Sequence, residues 1–245
     1  MEWYRADLHI HSVLSPCGDL DMSPARIIQT AKEKKLDIIG ITDHNSTLHA
    51  ELMLELGKKN GITVFPGAEV STQEEVHCLA FFENIEAAKQ FQQFLDEKST
   101  GIQNNTARFG HQLIVNEKEE ILDEVPELLI MGLKAPIDEV EKKVHQLNGV
   151  FIPAHVDRAV TSIYSQIGFI PEDLKIDAIE FSSNSTPEQL LEKRSELKSY
   201  QLITNSDAHY PEQLGTRATE YYLKEPTFSE WQKALAGEGN RKVRL

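Results

Sequence analysis

Short apolar runs alternate with amphipathic stretches along most of this chain. Residues 5–10, 37–42, 62–70 and 76–82 read as strands, as do 150–155, 177–182, 201–205 and 219–223. Each is a short run of β-branched and apolar residues bounded by turn formers. Between them lie helical signals. Ser23 and Pro24 give an N-cap and a first-turn proline, and Ile27, Ile28 and Ala31 follow on one face. The spacing predicts a second helix over 47–60, stopped at Asn60-Gly61, and another over 186–198, capped by Ser185 or Thr186 ahead of Pro187. The stretch 84–149 breaks the rhythm and reads as a mostly helical insertion. Phe91, Phe94 and Leu95 share one helix face, and Ile137, Val140, Val144 and Leu147 recur at helical spacing before Gly149. TARFGHQL and the acidic NEKEEILDEVPE between them fit neither period.

Repeated strand-then-helix units favour parallel strands joined by right-handed crossovers. One closed or nearly closed α/β barrel, a single domain over 1–245, is the economical arrangement. An open doubly wound sheet is the alternative, but no glycine-rich phosphate loop follows the first strand. The chain has 245 residues, 40% of them hydrophobic, which suits one barrel with a full core. Its net charge of −14 disfavours a long nucleic acid as partner. Bound divalent cations would offset part of that charge. The basic end, NRKVRL, reads as a solvated tail. The two cysteines, Cys17 and Cys78, imply no disulfide framework and fit a reducing, cytoplasmic setting. A strand begins within a few residues of Met1, which reads as no signal peptide, and no apolar run of about 18 residues offers a membrane span.

The chemistry-bearing residues fall at strand ends. DLHIH closes the first strand, so His9 and His11, two apart, share a face. Asp43 and His44 end the second strand, Glu69 the third, and His77 sits in the fourth. His155 ends FIPAH, and Asp207 with His209 follows LITNS. Six of the nine histidines therefore sit where a barrel gathers side chains from distant segments. Imidazoles with carboxylates on one face suit a divalent metal such as Zn, Mn or Fe. Of the other histidines, His49 reads as lying on an exposed helix and His145 beside Val144 on another, while His111 is a candidate for a lid. Cys78 follows His77 and faces the opposite way, into the core.

The set DLHIHSVLSPCGDLDMSP, GITDHNS, GAE, VH, PAH and NSDAH resembles the PHP (polymerase and histidinol phosphatase) family of metal-dependent phosphoesterases. The resemblance runs from about residue 5 to 210 and includes order and spacing. It implies a distorted (βα)7 barrel, with the 84–149 segment as its insertion, and two or three divalent ions. The ligands it implies are His9, His11, His44, Glu69, His77, His155, Asp207 and His209. Relatives carry an acid soon after HxH, whereas this chain has a longer loop, HSVLSPCGD. Asp19 matches best, keeping the family's step to Pro24, with Asp21 and Cys17 as competitors. Asp43 would orient a ligand from behind it.

A phosphate ester resists hydrolysis because its charge repels nucleophiles. Metals lower the pKa of water, screen the phosphoryl charge and hold the leaving oxygen. No nucleophile elbow of the G-x-S-x-G kind is present. Asp207 and His209 are candidates for proton transfer. Arg158, three residues after His155, is a candidate phosphate clamp, or else a surface arginine paired with Asp157 or another acid. Arg108 and Lys134 are weaker candidates of that kind. The resulting expectation is hydrolysis of a small phosphorylated substrate, with no membrane partner. Alternatives are a PHP-type exonuclease acting on oligonucleotide ends and a metal-binding PHP domain without turnover. An amidohydrolase site is disfavoured, because no strand end carries the lysine such sites use.

Overall fold

The computed structural model describes all 245 residues. In chain order the elements are β1 (Glu2–Asp7), α1 (Pro24–Glu33), β2 (Ile38–Ile41), α2 (Ala50–Asn60), β3 (Thr63–Ser71), β4 (His77–Phe81) and α3 (Ile85–Lys98). Then come α4 (Thr106–Phe109), β5 (Leu113–Val115), β6 (Ile121–Glu124), α5 (Ile137–Gln146), β7 (Val150–Pro153), α6 (Ile163–Gln166) and β8 (Ile179–Phe181). The chain finishes with α7 (Pro187–Lys193), a 3-10 turn at 195–199, β9 (Leu202–Thr204), β10 (Thr219–Leu223), α8 (Phe228–Leu235) and β11 (Lys242–Arg244).

Seven strands form one curled sheet in the order β11-β10-β1-β2-β3-β4-β7. The parallel pair β8-β9 lies between β7, at one end of that sheet, and β1. On one side Val156 N donates to Glu180 O at 3.0 Å, linking β7 to β8. On the other, Ala208 N donates to His9 O at 3.1 Å and His11 N to Ala208 O at 2.9 Å. The α/β barrel expected from the sequence is therefore present, but distorted. Strands β1, β2 and β3 are parallel, whereas β4 runs antiparallel to both β3 and β7, and β10 antiparallel to β1. The cause lies in chain length. Only residues 72–76 separate β3 from β4, too few for a crossover, so the pair can only be a hairpin.

The barrel interior is filled by Leu8, Phe65, Leu79, Phe81, Ile152 and Ile203, and α8 closes its lower end with Trp231. Phe81 needs two glycines opposite it. A Cβ on Gly40 would lie 2.7 Å from Phe81 Cε1, and one on Gly67 the same distance from Phe81 Cδ1. Helices α3 and α5 cover the outer face of β4 and β7 with Phe91, Phe94, Val140 and Val144. Helices α1 and α2 cover β2 and β3 through Ile27, Ile28, Met53 and Leu56.

Local signals behave as the sequence implies at most helix ends. Ser23 accepts from Arg26 N ahead of Pro24, Thr186 forms a reciprocal capping box with Gln189, and Gly61 ends α2 at φ 73°. The segment 84–149 differs from the mostly helical reading: it is helical at its two ends, with the β5-β6 hairpin between. Asn116 explains the turn. Its side-chain oxygen accepts from Lys118 N and Glu120 N, so the acidic run bends instead of coiling.

His145, on α5, lies between Glu141 one turn back and Asp177, whose Oδ2 is 2.9 Å from Nε2. Hydrogen bonding to Asp177 raises the pKa of this ring, against the pull of burial. A raised folded-state pKa stabilises the fold below the ordinary histidine value and stops doing so as pH rises through the folded one. His145→Gln should therefore cost up to about 1 kcal/mol at acidic pH and less at alkaline pH. Chemical denaturation of both proteins at two pH values checks this, and an equal loss at both would remove the ion-pair explanation.

Candidate functional site

The topology delivers side chains to one mouth of the barrel. Parallel strands β1, β2, β3 and β7 end there, and antiparallel β4 begins there. His9 and His11 lie just past β1, His44 just past β2, Glu69 near the end of β3 and His77 at the start of β4. His155 lies two residues past β7, and Asp207 and His209 follow β9. Eight residues separated by up to 200 positions thus converge, as their strand-end placement anticipates.

Two carboxylates organise the rings. Glu69 Oε1 is 3.3 Å from His9 Nε2, 2.9 Å from His77 Nδ1 and 3.0 Å from His155 Nε2. Its Oε2 is 3.4 Å from His11 Nε2 and 3.1 Å from His44 Nδ1. Asp207 Oδ1 is 3.2 Å from His9 Nε2 and 3.3 Å from His11 Nε2, while its Oδ2 takes the Arg158 guanidinium. Asp207 and His155 hold left-handed backbone conformations, φ 52° and 30°, which non-glycine residues seldom adopt. Strain of this kind persists where surrounding structure enforces it, as at functional sites.

Outer partners fix which ring nitrogen faces inward. His9 Nδ1 donates to Glu180, at 3.0 Å from Oε2, so Nε2 is the nitrogen that faces the centre. A longer relay sets His11. Val115 N donates to His49 Nε2, so His49 carries its proton on Nδ1 and donates to Ser12 Oγ at 2.7 Å. Ser12 and Ser15 hydroxyls both donate to Asp43, each at 2.7 Å. Ser15 Oγ then accepts from His11 Nδ1 at 3.0 Å, which leaves His11 Nε2 free. His209 Nδ1 donates to the Asp207 carbonyl at 2.9 Å, freeing its Nε2 likewise.

This places His49 differently from the sequence reading. It is buried at the start of α2, within the relay rather than on an exposed face. Asp43 lies behind His11, joined to it through Ser15. The sequence reading missed Glu180, whose carboxylate also accepts from His155 N and from Asn205 Nδ2 at 2.8 Å. A lone acid inside the apolar run AIEF was the available signal. His111 is exposed and pairs with Glu124.

The electrostatics suit cations. Burial would protonate Glu69, but His77, His9 and His44 outweigh it and hold its pKa well below the usual carboxylate range. Burial dominates at His44, with the neighbouring His11 ring opposing its charge further, so its pKa falls well below normal. At His209 burial, followed by the effect of His11, lowers the pKa to about 4. Ionised carboxylates and the neutral His44 and His209 rings are the forms a metal requires. At His9, by contrast, burial is outweighed by Asp207, Glu180 and Glu69, which raise its pKa well above normal, so an ion there would displace a proton. Moreover His9 Nε2, His11 Nε2, His44 Nδ1, His155 Nδ1 and Asp207 Oδ1 are buried without a hydrogen-bond partner. Buried polar atoms are rarely left so, and a shared ion would satisfy His9 Nε2, His11 Nε2 and Asp207 Oδ1, where the carboxylate oxygen lies 3.2 and 3.3 Å from the two rings. Ligand atoms fall within 4.8 Å of one another in three groups: His9, His11 and Glu69; His44, Glu69 and His77; and His11, Cys17, His44 and His209.

Asp19 is in none of these groups. Its Oδ1 instead accepts from Asp21 N at 2.9 Å in a local turn. The early-loop residue brought to the histidines is Cys17. Arg158 sits at the mouth on Asp207, not on Asp157, which accepts from Ser182 N and Oγ. Cys78 is fully buried, as expected. No helix is long and apolar enough to cross a membrane.

Comparison with known proteins agrees with this geometry. The profile of the PHP domain matches residues 7–170. The Bacillus subtilis protein YqxK is 27% identical over 277 aligned positions, covering 99% of this chain and 64% of YqxK. The lesion-specific endonuclease PfuEndoQ from Pyrococcus furiosus superposes with a TM-score of 0.78 at 25% identity, over 100% of this chain and 58% of that one. An Endonuclease Q complex with a 27-mer duplex carrying an abasic lesion at the active site gives 0.76 at 24% identity, over 98% of this chain and 58% of that one. This chain thus spans about 60% of the length of these relatives.

These neighbours correct the expected partner. A small phosphorylated substrate, with long nucleic acid disfavoured, was inferred from the net charge. The similar structures instead include a lesion-specific endonuclease and a complex with a 27-mer duplex substrate. Net charge sums the whole surface, whereas binding answers to the local field, and Arg158 is a positive group at this mouth. With the profile covering more than half of the sequence and its histidines and carboxylates converging as that family requires, the chain belongs to the PHP domain family of metal-dependent hydrolases.

Proposed function

We propose that this chain hydrolyses phosphodiester bonds in DNA, as a metal-dependent nuclease that cuts at an internal position. The observation that carries the reaction type is the pair of shared carboxylates, Glu69 and Asp207, ringed by unpartnered histidine nitrogens beside Arg158. Support for the substrate class comes from the likeness to the lesion-specific endonuclease, which extends over the whole chain. A free exposed thiol at the mouth fits a reducing compartment, the cytoplasm.

His9, Glu69 and Asp207 would hold one divalent ion, and Glu69, His77 and His155 another. His11, His44 and His209 would be donors for a third, giving two or three ions of the Zn, Mn or Fe kind. When bound, such ions supply Lewis acidity at a phosphoryl centre and make water a stronger nucleophile at neutral pH. The chain's own residues do the rest. Arg158, partly exposed and anchored on Asp207, presents its remaining N–H donors to a phosphate oxygen entering the mouth. Glu180 and the Asp43–Ser15 relay keep His9 and His11 aimed inward, so no reorganisation is needed when charge develops. His209, held on the Asp207 carbonyl and a quarter exposed, keeps its Nε2 lone pair turned toward the centre.

The test is cleavage of a labelled duplex with one abasic site, alongside the undamaged duplex and single strands, with Mn, Zn or Mg added. Internal nicking of the duplex that requires metal and vanishes in Asp207→Asn is the expected result. Absence of cleavage on every DNA by a metal-loaded chain would sink the proposal.

A further inference from the structure

The loop after His11 gives the centre an unexpected donor. Its path is fixed at several points. The Ser15 hydroxyl is tied to Asp43, Gly18 N donates to Ser15 O at 2.9 Å, and Asp19 N donates to His209 O at 2.9 Å. Gly18 has no room for a side chain, because a Cβ there would lie 2.3 Å from Ser12 O. Residues 15–19 are therefore pinned between the β1 and β9 ends, and Cys17 is set over the mouth. Its Sγ lies with one ring nitrogen each of His11, His44 and His209 in a group whose atoms are all within 4.8 Å. Two of those rings are fully or almost fully buried, and His11 Nε2 and His44 Nδ1 have no partner. His209 stacks on His11 with centroids 4.2 Å apart.

We propose that Cys17, not Asp19, is the loop ligand, and that with His11, His44 and His209 it forms a three-nitrogen, one-sulfur site selective for a thiophilic divalent ion, Zn(II) above all. The inference rests on the metal-centre reading and refines it. The other two groups contain the Glu69 carboxylate and suit harder ions, whereas a thiolate and three imidazoles favour Zn over Mn or Mg. Binding breaks the S–H bond, forms a sulfur–metal bond and releases one proton to water, with no change of oxidation state. The centre would then hold ions in chemically different seats, the soft one beneath the loop.

The probe is Co(II) added to the metal-free full-length chain. A near-ultraviolet sulfur-to-cobalt charge-transfer band is expected, retained in Asp19→Ala and lost in Cys17→Ala. Zn(II) should slow iodoacetamide alkylation of Cys17 by at least about tenfold, while Mg(II) leaves it unchanged, and Cys17→Ser should lower Zn affinity at least about tenfold. Cys78, fully buried, stays unreactive in the folded protein and serves as the internal control. Cobalt uptake without the band, together with no protection by Zn, would overturn the thiolate seat while leaving the metal centre intact. A chain that takes up no Co(II) at all would overturn both.

Discussion

Glu69→Gln should lower turnover by at least about 100-fold and deplete bound metal while leaving the fold intact. Glu69 is the hub of the cluster. Its two oxygens face five imidazoles at 2.9–3.4 Å, and the residue is almost fully buried at the end of β3. Glutamine keeps the volume but removes the charge and turns one acceptor into a donor. That NH2 would donate to ring nitrogens such as His11 Nε2 and occupy the lone pairs an ion would use. Metal content, circular dichroism and cleavage rate measured on one preparation separate loss of the centre from loss of the fold. Wild-type turnover with full metal content would mean that chemistry occurs elsewhere.

Asp207→Asn should cost a similar factor, at least about 100-fold, for a partly different reason. Asp207 Oδ1 faces His9 and His11, and Oδ2 anchors Arg158, so its charge serves the metal seat and the phosphate clamp together. Asparagine suits the test because it tolerates the left-handed φ of 52° found here. Alanine would add backbone strain and blur the result. A raised KM for DNA should accompany the lower kcat, since Arg158 loses its anchor. A fall in kcat alone, with KM unchanged, would limit Asp207 to the metal and leave Arg158 without the clamp role.

The eight histidines and acids carried over from the strand-end motifs were legible because each follows an apolar run that a barrel must bury. Topology carries them to one mouth whatever the exact pairing. Strand direction was less legible. The strand-then-helix rhythm suggests parallel pairing throughout, and only the short 72–76 link betrays the β3-β4 hairpin. Helix α8 went unread because its apolar residues, Phe228, Trp231, Ala234 and Leu235, occupy only eight positions after a polar turn. They matter for a tertiary reason, as the plug under Phe65 and Phe81.

Near the centre, the misreadings concern residues whose role depends on a distant partner. Glu180 looks like an ordinary strand residue until His9, 171 positions away, donates to it. His49 sits at a helix start and looks solvated until the β5-β6 hairpin covers it through Val115. Counting from the loop to Pro24 favours Asp19. The turn from Ser15 to Gly18 shortens the path instead, so Cys17 reaches the histidines and Asp19 caps its own turn. Net charge describes the surface as a whole, and the 39 acidic residues include Glu69 and Glu180, which are buried in the cluster and add nothing to that surface.

The central claim is that this mouth is a multinuclear metal centre. Elemental analysis of the full chain, purified without chelator and then equilibrated with Zn or Mn, tests it most directly. At least about two equivalents per chain are expected for a centre that clamps both sides of a phosphoryl transfer, falling clearly in Glu69→Gln. A wild-type chain that arrives metal-free and takes up neither ion would contradict the account.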